Sequence, residues 1–455
     1  MNHWHFSWLF TANGWQKDCY IDCDDSGKIS KLSSSPSSRA SAYKKIDGLS
    51  LPAFHNAHSH AFQYAMAGLG ETFPKNSGSD DFWSWRQSMY ELALRVSPAD
   101  VETIASMLYL RMLKAGYSRV AEFHYLHKNH DGSEYKPLSQ MSLSLCRAAE
   151  KVGIGLTLIP VYYQSSTFGK PAVPNQRRFV FDNVKEYLKL IDELRESFAK
   201  MNHVKLGLGV HSLRAATIEE VNEIAEYRTP DEVFHIHVSE QLKEVEECQS
   251  YYGKRPVELL LDRCANLKNF FLVHATHLDD SELSRLASSD ASVVLCPTTE
   301  ANLGDGLFPL SQFCQADGKF CIGSDSHITI DPFEELRWLD YGQRLKTRKR
   351  LSIAGIENPA DYLMNQCWAN GARALGIGYN SNALQIGAEL DVVTIDHSHP
   401  LLCREDPKTW LATIMYALGR VKVESVLVRG HQCIVSEVHS NEVSIYNDFA
   451  KFVRK

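Results

Sequence analysis

Eight short apolar runs, separated by longer amphipathic stretches, constrain the fold of this 455-residue chain more than any other feature. The runs cover residues 49–57, 118–124, 153–162, 204–211, 233–238, 270–274, 291–296 and 320–325. Helical periodicity fills most of the gaps, over 98–115, 138–151, 183–201, 217–226, 257–264 and 280–286, and resumes after the eighth run over 332–345 and 359–375. Unbroken apolar strands alternating with helices indicate parallel strands buried on both faces. Eight such units predict an α/β fold with a (β/α)8, TIM-like barrel. The alternative, an open doubly wound sheet, usually carries a glycine fingerprint after its first strand. No G-x-G-x-x-G or phosphate-binding loop stands at that place here.

The flanks read differently. Residues 15–22 look like a strand, and the Ser-rich stretch 26–41 reads as loop or linker. Beyond residue 375 the helical period stops, and 390–395, 421–428 and 442–445 read as strands. The two ends are expected to pair into one small β-sandwich-like domain. It would take residues 1–49 and 378–455, with the barrel over 50–377.

Composition narrows the class of partner. Hydrophobic residues make up 44% and charged residues 23%, as in ordinary globular proteins. With 48 Lys and Arg against 55 Asp and Glu, the net charge is −7, which draws neither nucleic acid nor an anionic membrane. No apolar run approaches membrane-spanning length. The start, Met1-Asn2-His3-Trp4-His5-Phe6, has no basic segment leading an apolar one, so a cytoplasmic location is expected rather than secretion. The eleven cysteines then read as reduced thiols. Cys19 and Cys23 lack a matching second pair, which argues against a metal site there.

The nineteen histidines are the unusual element, because many stand with acids at the ends of the apolar runs. The first run leads into His58-Ser59-His60, the fourth into His211-Ser212-Leu213-Arg214, and the fifth contains His235 and His237 before Glu240. The sixth ends at His274 and the eighth at Asp325. In a barrel of this kind the active site is built at the C-terminal ends of the strands. His58 and His60, two apart in extended chain, share one face. Alone, such a pair is more often structural. With His237 and Asp325 it becomes a His3Asp set from three strands, suited to a divalent ion such as Zn2+, with Fe, Mn and Co also fitting. No lysine ends the fourth run to bridge a second ion, so one metal is expected. Glu240 is placed to reach a water at that metal without binding the ion; a helix-capping carboxylate is the common alternative, and the catalytic reading is favoured because His237 precedes it. His274 could bond the same water.

Several stretches carry a family resemblance. They are His58-Ser59-His60-Ala61-Phe62-Gln63, Phe82-Trp83-Ser84-Trp85-Arg86, Ala121-Glu122-Phe123-His124-Tyr125-Leu126-His127, His211-Ser212-Leu213-Arg214 and Val273-His274-Ala275-Thr276-His277. To these are added residues 296–306, Gly323-Ser324-Asp325-Ser326-His327 and residues 331–338. Over roughly residues 50–400 the chain resembles the amidohydrolase superfamily, in its single-metal deaminating branch, and within it the formimidoylglutamate deiminase family. The resemblance implies that His58, His60, His237 and Asp325 hold the metal, and that Glu240, His274 and Asp325 handle protons. It implies that Gln63, Arg86, Tyr125, His211 and Arg214 bind a small dicarboxylate substrate, and that the protein is a homodimer. Charge agrees: a chain of net −7 needs local cations for two carboxylates, and an arginine can grip each with paired hydrogen bonds. The implied reaction converts N-formimino-L-glutamate to N-formyl-L-glutamate and ammonia, a step of histidine degradation.

Three other readings are weighed against this one. The same site could serve a guanine- or cytosine-type deaminase, although a neutral ring needs no carboxylate grips. The same adduct could release formamide instead of ammonia. A non-catalytic barrel used for binding is a third, but a disused site would be expected to lose ligands, and all four are present with Glu240. The roles of His235, Glu300 and Asp305 are left open by the sequence.

Overall fold

Local chemistry sets the first long helix. The Ser97 hydroxyl accepts from Asp100 N while the Asp100 carboxylate accepts from Ser97 N, Pro98 opens the first turn, and Gly116 closes the last at φ 101°. The helix therefore runs Pro98–Ala115 and delivers the chain at once into the fully buried strand Tyr117–His124. The computed structural model describes residues 2–36, 43–71, 82–378, 384–404 and 406–454.

Eight parallel strands stand side by side in sequence order: Phe54–Ser59, Tyr117–His124, Gly155–Tyr162, Leu208–Ser212, Phe234–Val238, Phe270–His274, Ser292–Leu295 and Phe320–Ile322. They are referred to below as barrel strands one to eight. The sheet curls until its ends meet. A parallel bridge joins Ser59 to Asp325, Ser324 N and Asp325 N donate to His58 O at 3.1 and 3.0 Å, and His60 N donates to Asp325 O at 3.3 Å. The first and last strands thus join at the residues singled out as metal ligands. Gly323 permits the approach, since a Cβ there would stand 2.8 Å from His58 N.

The chain's two ends form a separate seven-stranded sheet. In spatial order it holds His431–Val435, Val423–Val428, Val392–Ile395, Lys44–Pro52, Asn2–Thr11, Gly14–Cys23 and Ile29–Ser33. The ends meet where Val392–Ile395 pairs antiparallel with Lys44–Pro52, with Ser50 Oγ and Thr394 Oγ1 2.9 Å apart. Buried Arg119 on barrel strand two pairs with Asp391 and Glu389, tying this sheet to the barrel. No helix of the described residues is long and apolar enough to cross a membrane.

Several expected boundaries move. The run 49–57 spans two strands, because Lys44–Pro52 belongs to the terminal sheet and Phe54–Ser59 to the barrel. Both are buried where they meet, so hydropathy does not mark the crossing. The run 204–211 breaks at Gly207 into Val204–Leu206 and Leu208–Ser212, and the eighth run stops at Ile322. Residues 442–445, read as strand, begin the helix Glu442–Val453, of which only Ile445 is buried. The Ser-rich stretch contributes the strand Ile29–Ser33, and its residues 37–41 lie outside the described residues. Five further helices appear at Phe82–Ala93, Leu242–Tyr252, Pro297–Leu303, Leu310–Gln315 and Trp410–Tyr416.

Candidate active site

His58, in the last residues of barrel strand one, and His60, the residue just after it, bring their Nε2 atoms 3.1 Å apart. His237, near the end of barrel strand five, brings its Nε2 to 2.9 Å from that of His58. Asp325 Oδ1 lies 3.1 Å from His60 Nε2 and 3.5 Å from His58 Nε2. All four residues are buried, and their ligating atoms lie within 4.8 Å of one another. The structure therefore brings the expected His3Asp set together.

Backbone carbonyls decide what these imidazoles present. His60 Nδ1 donates to Phe123 O at 2.9 Å and His237 Nδ1 to His211 O at 3.1 Å. A carbonyl only accepts, so each Nδ1 carries the proton and each Nε2 turns a lone pair inward. Burial pulls the His58 pKa down to about 3 and holds His237 well below the ordinary histidine range, so both rings are neutral. Burial by itself would raise Asp325, but the adjoining His58 and His60 outweigh it and hold its carboxyl well below the ordinary carboxylate range. Converging lone pairs beside a carboxylate repel one another unless a cation sits among them. Three nitrogens and one oxygen suit a borderline divalent ion. A second trio, His274, Cys296 and Asp325, is also close enough to share an ion, but burial pushes the Cys296 thiol far up, against the thiolate a metal needs.

Backbone strain gathers at the same strand ends. Ser239, His274, Ala275 and Asp325 hold φ values of 50°, 70°, 48° and 44°. Such left-handed conformations in non-glycine residues cost roughly 1–3 kcal/mol each and persist where surrounding structure enforces them.

The proton-handling candidates adjoin the cluster. His274 Nε2 lies 3.8 Å from Glu240 Oε1 and 3.9 Å from Asp325 Oδ2, while its Nδ1 lies 3.3 Å from Glu300 Oε1. Burial would lower the His274 pKa, but Glu240, Glu300 and Asp325 together push it up to about 10 and hold an imidazolium. Glu240 does not cap the following helix. The N-cap of that helix, Gln241, makes no side-chain capping bond, and the Glu244 carboxylate instead accepts from Ser239 N and Glu240 N at 3.2 and 3.1 Å. The Glu240 side chain faces Arg214 and His274 instead.

The expected substrate contacts Gln63, Arg86, Tyr125, His211 and Arg214 line one cavity of about 40 Å³ together with His60, His237 and Asp325. Gln63 Nε2 donates to Tyr125 Oη at 2.6 Å. Arg86 reaches Tyr90 Oη at 2.5 Å and Tyr163 Oη at 3.1 Å, and Gln176 Nε2 donates to both of those tyrosines. His211 is kept neutral by burial and by Arg214. Arg214 Nη2 donates to Glu240 Oε2 at 3.3 Å, so the arginine expected to grip a carboxylate already holds the expected proton carrier.

Other residues enter that sequence reasoning left unplaced. Glu300 accepts from Cys296 N at 2.9 Å as it meets His274. Asp305 accepts from Gln241 Nε2, and burial followed by the charge of Glu240 pushes its pKa up to about 9. Glu122 was missed: it accepts from Ser59 Oγ and Ala61 N, both at 2.6 Å, and so braces the His60 turn. Its neighbours in the motif Ala121-Glu122-Phe123-His124 were the available signal. His235 points elsewhere and donates to Ala374 O at 2.9 Å.

Comparison with known proteins agrees with this arrangement. Residues 49–433 match the amidohydrolase family. Formimidoylglutamate deiminase from Pseudomonas aeruginosa is 40% identical over 432 residues, which is 94% of each chain. The crystal structure of an amidohydrolase from Brucella melitensis superposes with a TM-score of 0.92 at 38% identity, over 100% of this chain and 99% of that one. A zinc-bound adenosine deaminase from Xanthomonas campestris shares the fold, with a TM-score of 0.77 at 19% identity over 99% and 98% of the two chains. With its near-closed barrel, its three imidazoles and aspartate at the strand ends, and a match spanning most of its length, this chain belongs to the amidohydrolase family.

Proposed function

We propose that the chain is a formimidoylglutamate deiminase, hydrolysing N-formimino-L-glutamate to N-formyl-L-glutamate and ammonia with one Zn2+. The observation that carries this reading is a single cavity lined by His60, His237 and Asp325 of the His3Asp cluster and by two arginines, Arg86 and Arg214. An amidine carbon can lie against the cluster while a dicarboxylate tail meets the guanidiniums. The relative from P. aeruginosa and the resemblance of the strand-end motifs support the same substrate.

The ion held by His58, His60, His237 and Asp325 would supply Lewis acidity, bringing the pKa of water to about 7. Every other part of the reaction falls to side chains. His274, held as imidazolium, orients the attacking water through Nε2. Asp325 accepts the proton as the water oxygen bonds to the formimino carbon and the C=N π pair moves to the terminal nitrogen. Because the substrate enters as an amidinium, that nitrogen is an amine after attack; protonated Glu240 delivers it one further proton, the C–N bond breaks with its electrons, ammonia leaves, and the oxygen-bound proton returns to Glu240. That last transfer gives the formyl product. Arg86, Arg214, Gln63, Tyr125 and His211 hold the glutamate part. A positioned acid of this kind contributes about 10²–10⁴ in rate.

The test is product analysis with zinc-loaded protein. Ammonia and N-formyl-L-glutamate are expected by NMR from N-formimino-L-glutamate. Formamide with glutamate would overturn the bond assignment, and turnover of guanine or cytosine in its place would overturn the substrate. The family resemblance extends the reading to a homodimer serving histidine breakdown in the cytoplasm, with light scattering as the check on assembly.

A further inference from the structure

Arg214 sits where a substrate carboxylate and Glu240 compete for it. Its Nη2 donates to Glu240 Oε2 at 3.3 Å, while its Nε, 3.9 Å from Glu244 Oε2, makes no hydrogen bond although it is buried. Arg214, Glu240 and Glu244 are 4%, 6% and 0% exposed, so little water screens the pair. Glu244 is already engaged by two backbone N–H groups, which leaves Glu240 as the carboxylate free to exchange partners.

Two cavities share this arginine. The inner one is lined by His60, His237 and Asp325 of the His3Asp cluster. The outer one, about 320 Å³, is lined by Arg86 and Arg214 again, with Lys170 and Lys243 at its side. An anion arriving through the outer cavity reaches the guanidinium without passing Glu240. The guanidinium holds Glu240 Oε2 and so fixes the direction in which that carboxylate faces.

We propose that Arg214 couples recognition to chemistry: it restrains Glu240 until a substrate carboxylate takes over the guanidinium, which frees Glu240 to carry the proton. This rests on the deiminase reading above and adds to it a source of specificity in kcat, not only in KM. Binding energy from the unreactive end of the substrate is then spent at the reacting end. An amidine without a carboxylate leaves Glu240 restrained and turns over slowly even at saturation. A free carboxylate supplied beside it restores the missing anion.

The probes are N-butylformamidine, which has the amidine and no carboxylate, and propionate. With wild-type enzyme, kcat on N-butylformamidine is expected about 100-fold below that on N-formimino-L-glutamate, and propionate is expected to raise it at least about fivefold. Arg214→Met is expected to turn over N-butylformamidine about 10-fold faster than wild type, with no response to propionate. A gain of activity cannot come from misfolding, and if the variant does not fold the propionate experiment on wild type decides. Absence of activation by propionate, or a folded Arg214→Met no faster than wild type on the neutral amidine, overturns the coupling while leaving the deiminase reading intact. Failure of wild type to process N-formimino-L-glutamate brings down both.

Discussion

His274 Nδ1 and Glu300 Oε1 lie 3.3 Å apart, joining the end of barrel strand six to the helix that follows strand seven. The same Glu300 oxygen accepts from Cys296 N at 2.9 Å, so the carboxylate is anchored and in turn orients the imidazole. Both side chains are buried, at 1% and 5% side-chain exposure. An imidazole aimed at the reaction centre needs such a partner to select its ring orientation.

Glu300→Gln separates charge from shape. The amide oxygen still accepts from Cys296 N, so thermal stability is expected to stay within a few degrees of wild type. The charge opposite His274 is gone, so kcat is expected to fall about 10–100-fold with KM within about threefold. Steady-state kinetics on N-formimino-L-glutamate check this, and an unchanged kcat would reduce Glu300 to a structural tie.

Glu240→Gln tests the proton carrier. The side chain contributes no atom to the His3Asp cluster, so metal content by elemental analysis is expected to match wild type. The expected kcat loss is about 10²–10⁴-fold. Retained turnover would remove Glu240 from the chemistry.

Arg86→Met probes the carboxylate grip away from Glu240. Its guanidinium donates to the Tyr90 and Tyr163 hydroxyls and lines the cavity. Losing a charged hydrogen-bonding partner is expected to raise KM for the dicarboxylate about 10–100-fold, with kcat falling far less. Equal losses in both parameters would mean that Arg86 shapes the reacting end instead.

Removing the metal should loosen the barrel's seam. His58, His60 and Asp325 are also the residues at which strands one and eight meet. Chelation leaves three converging imidazoles facing a carboxylate at that seam. At a zinc concentration 1,000 times Kd, binding to the folded state adds about 4 kcal/mol. Melting of chelated protein is therefore expected several degrees lower, with recovery on adding Zn2+. An identical melting curve in both forms would speak against an ion at this cluster.

Much of this arrangement was legible in the sequence, for identifiable reasons. A strand buried on both faces shows as an unbroken apolar run, and chemistry at its end shows as His or Asp where hydrophobicity stops, as at His237 and His274. The split between Lys44–Pro52 and Phe54–Ser59 was not legible, because one sheet core passes to another with no polar residue between them. Residues 442–445 misled because only one face of the helix is buried and a four-residue window cannot resolve its period. Glu300 and Glu244 were invisible as partners, since their contacts depend on how neighbouring strand ends converge. The left-handed backbone at Asp325 has no residue signature either, because an aspartate does not announce the φ of 44° that turns it toward the histidines.

Buried histidines away from the cluster set a limit on acid stability. His55, His127 and His235 have pKa values lowered to about 4, in each case chiefly by burial. In the unfolded chain each titrates near 6.5. Between about 4 and 6.5 the unfolded state therefore binds more protons than the folded one, and stability rises with pH across that window. Read downward, the folded state loses stability from about pH 6.5, and the loss is complete below about pH 4. His127 is the cleanest probe: its Nε2 bonds Val161 O at 3.0 Å, and it touches none of the proposed ligands. In His127→Gln the amide N–H can keep that bond without titrating. Chemical denaturation of the variant at pH 7 and pH 5 is expected to show a smaller drop than wild type. Equal drops would mean that His127 takes up its proton in the folded state at an ordinary pH.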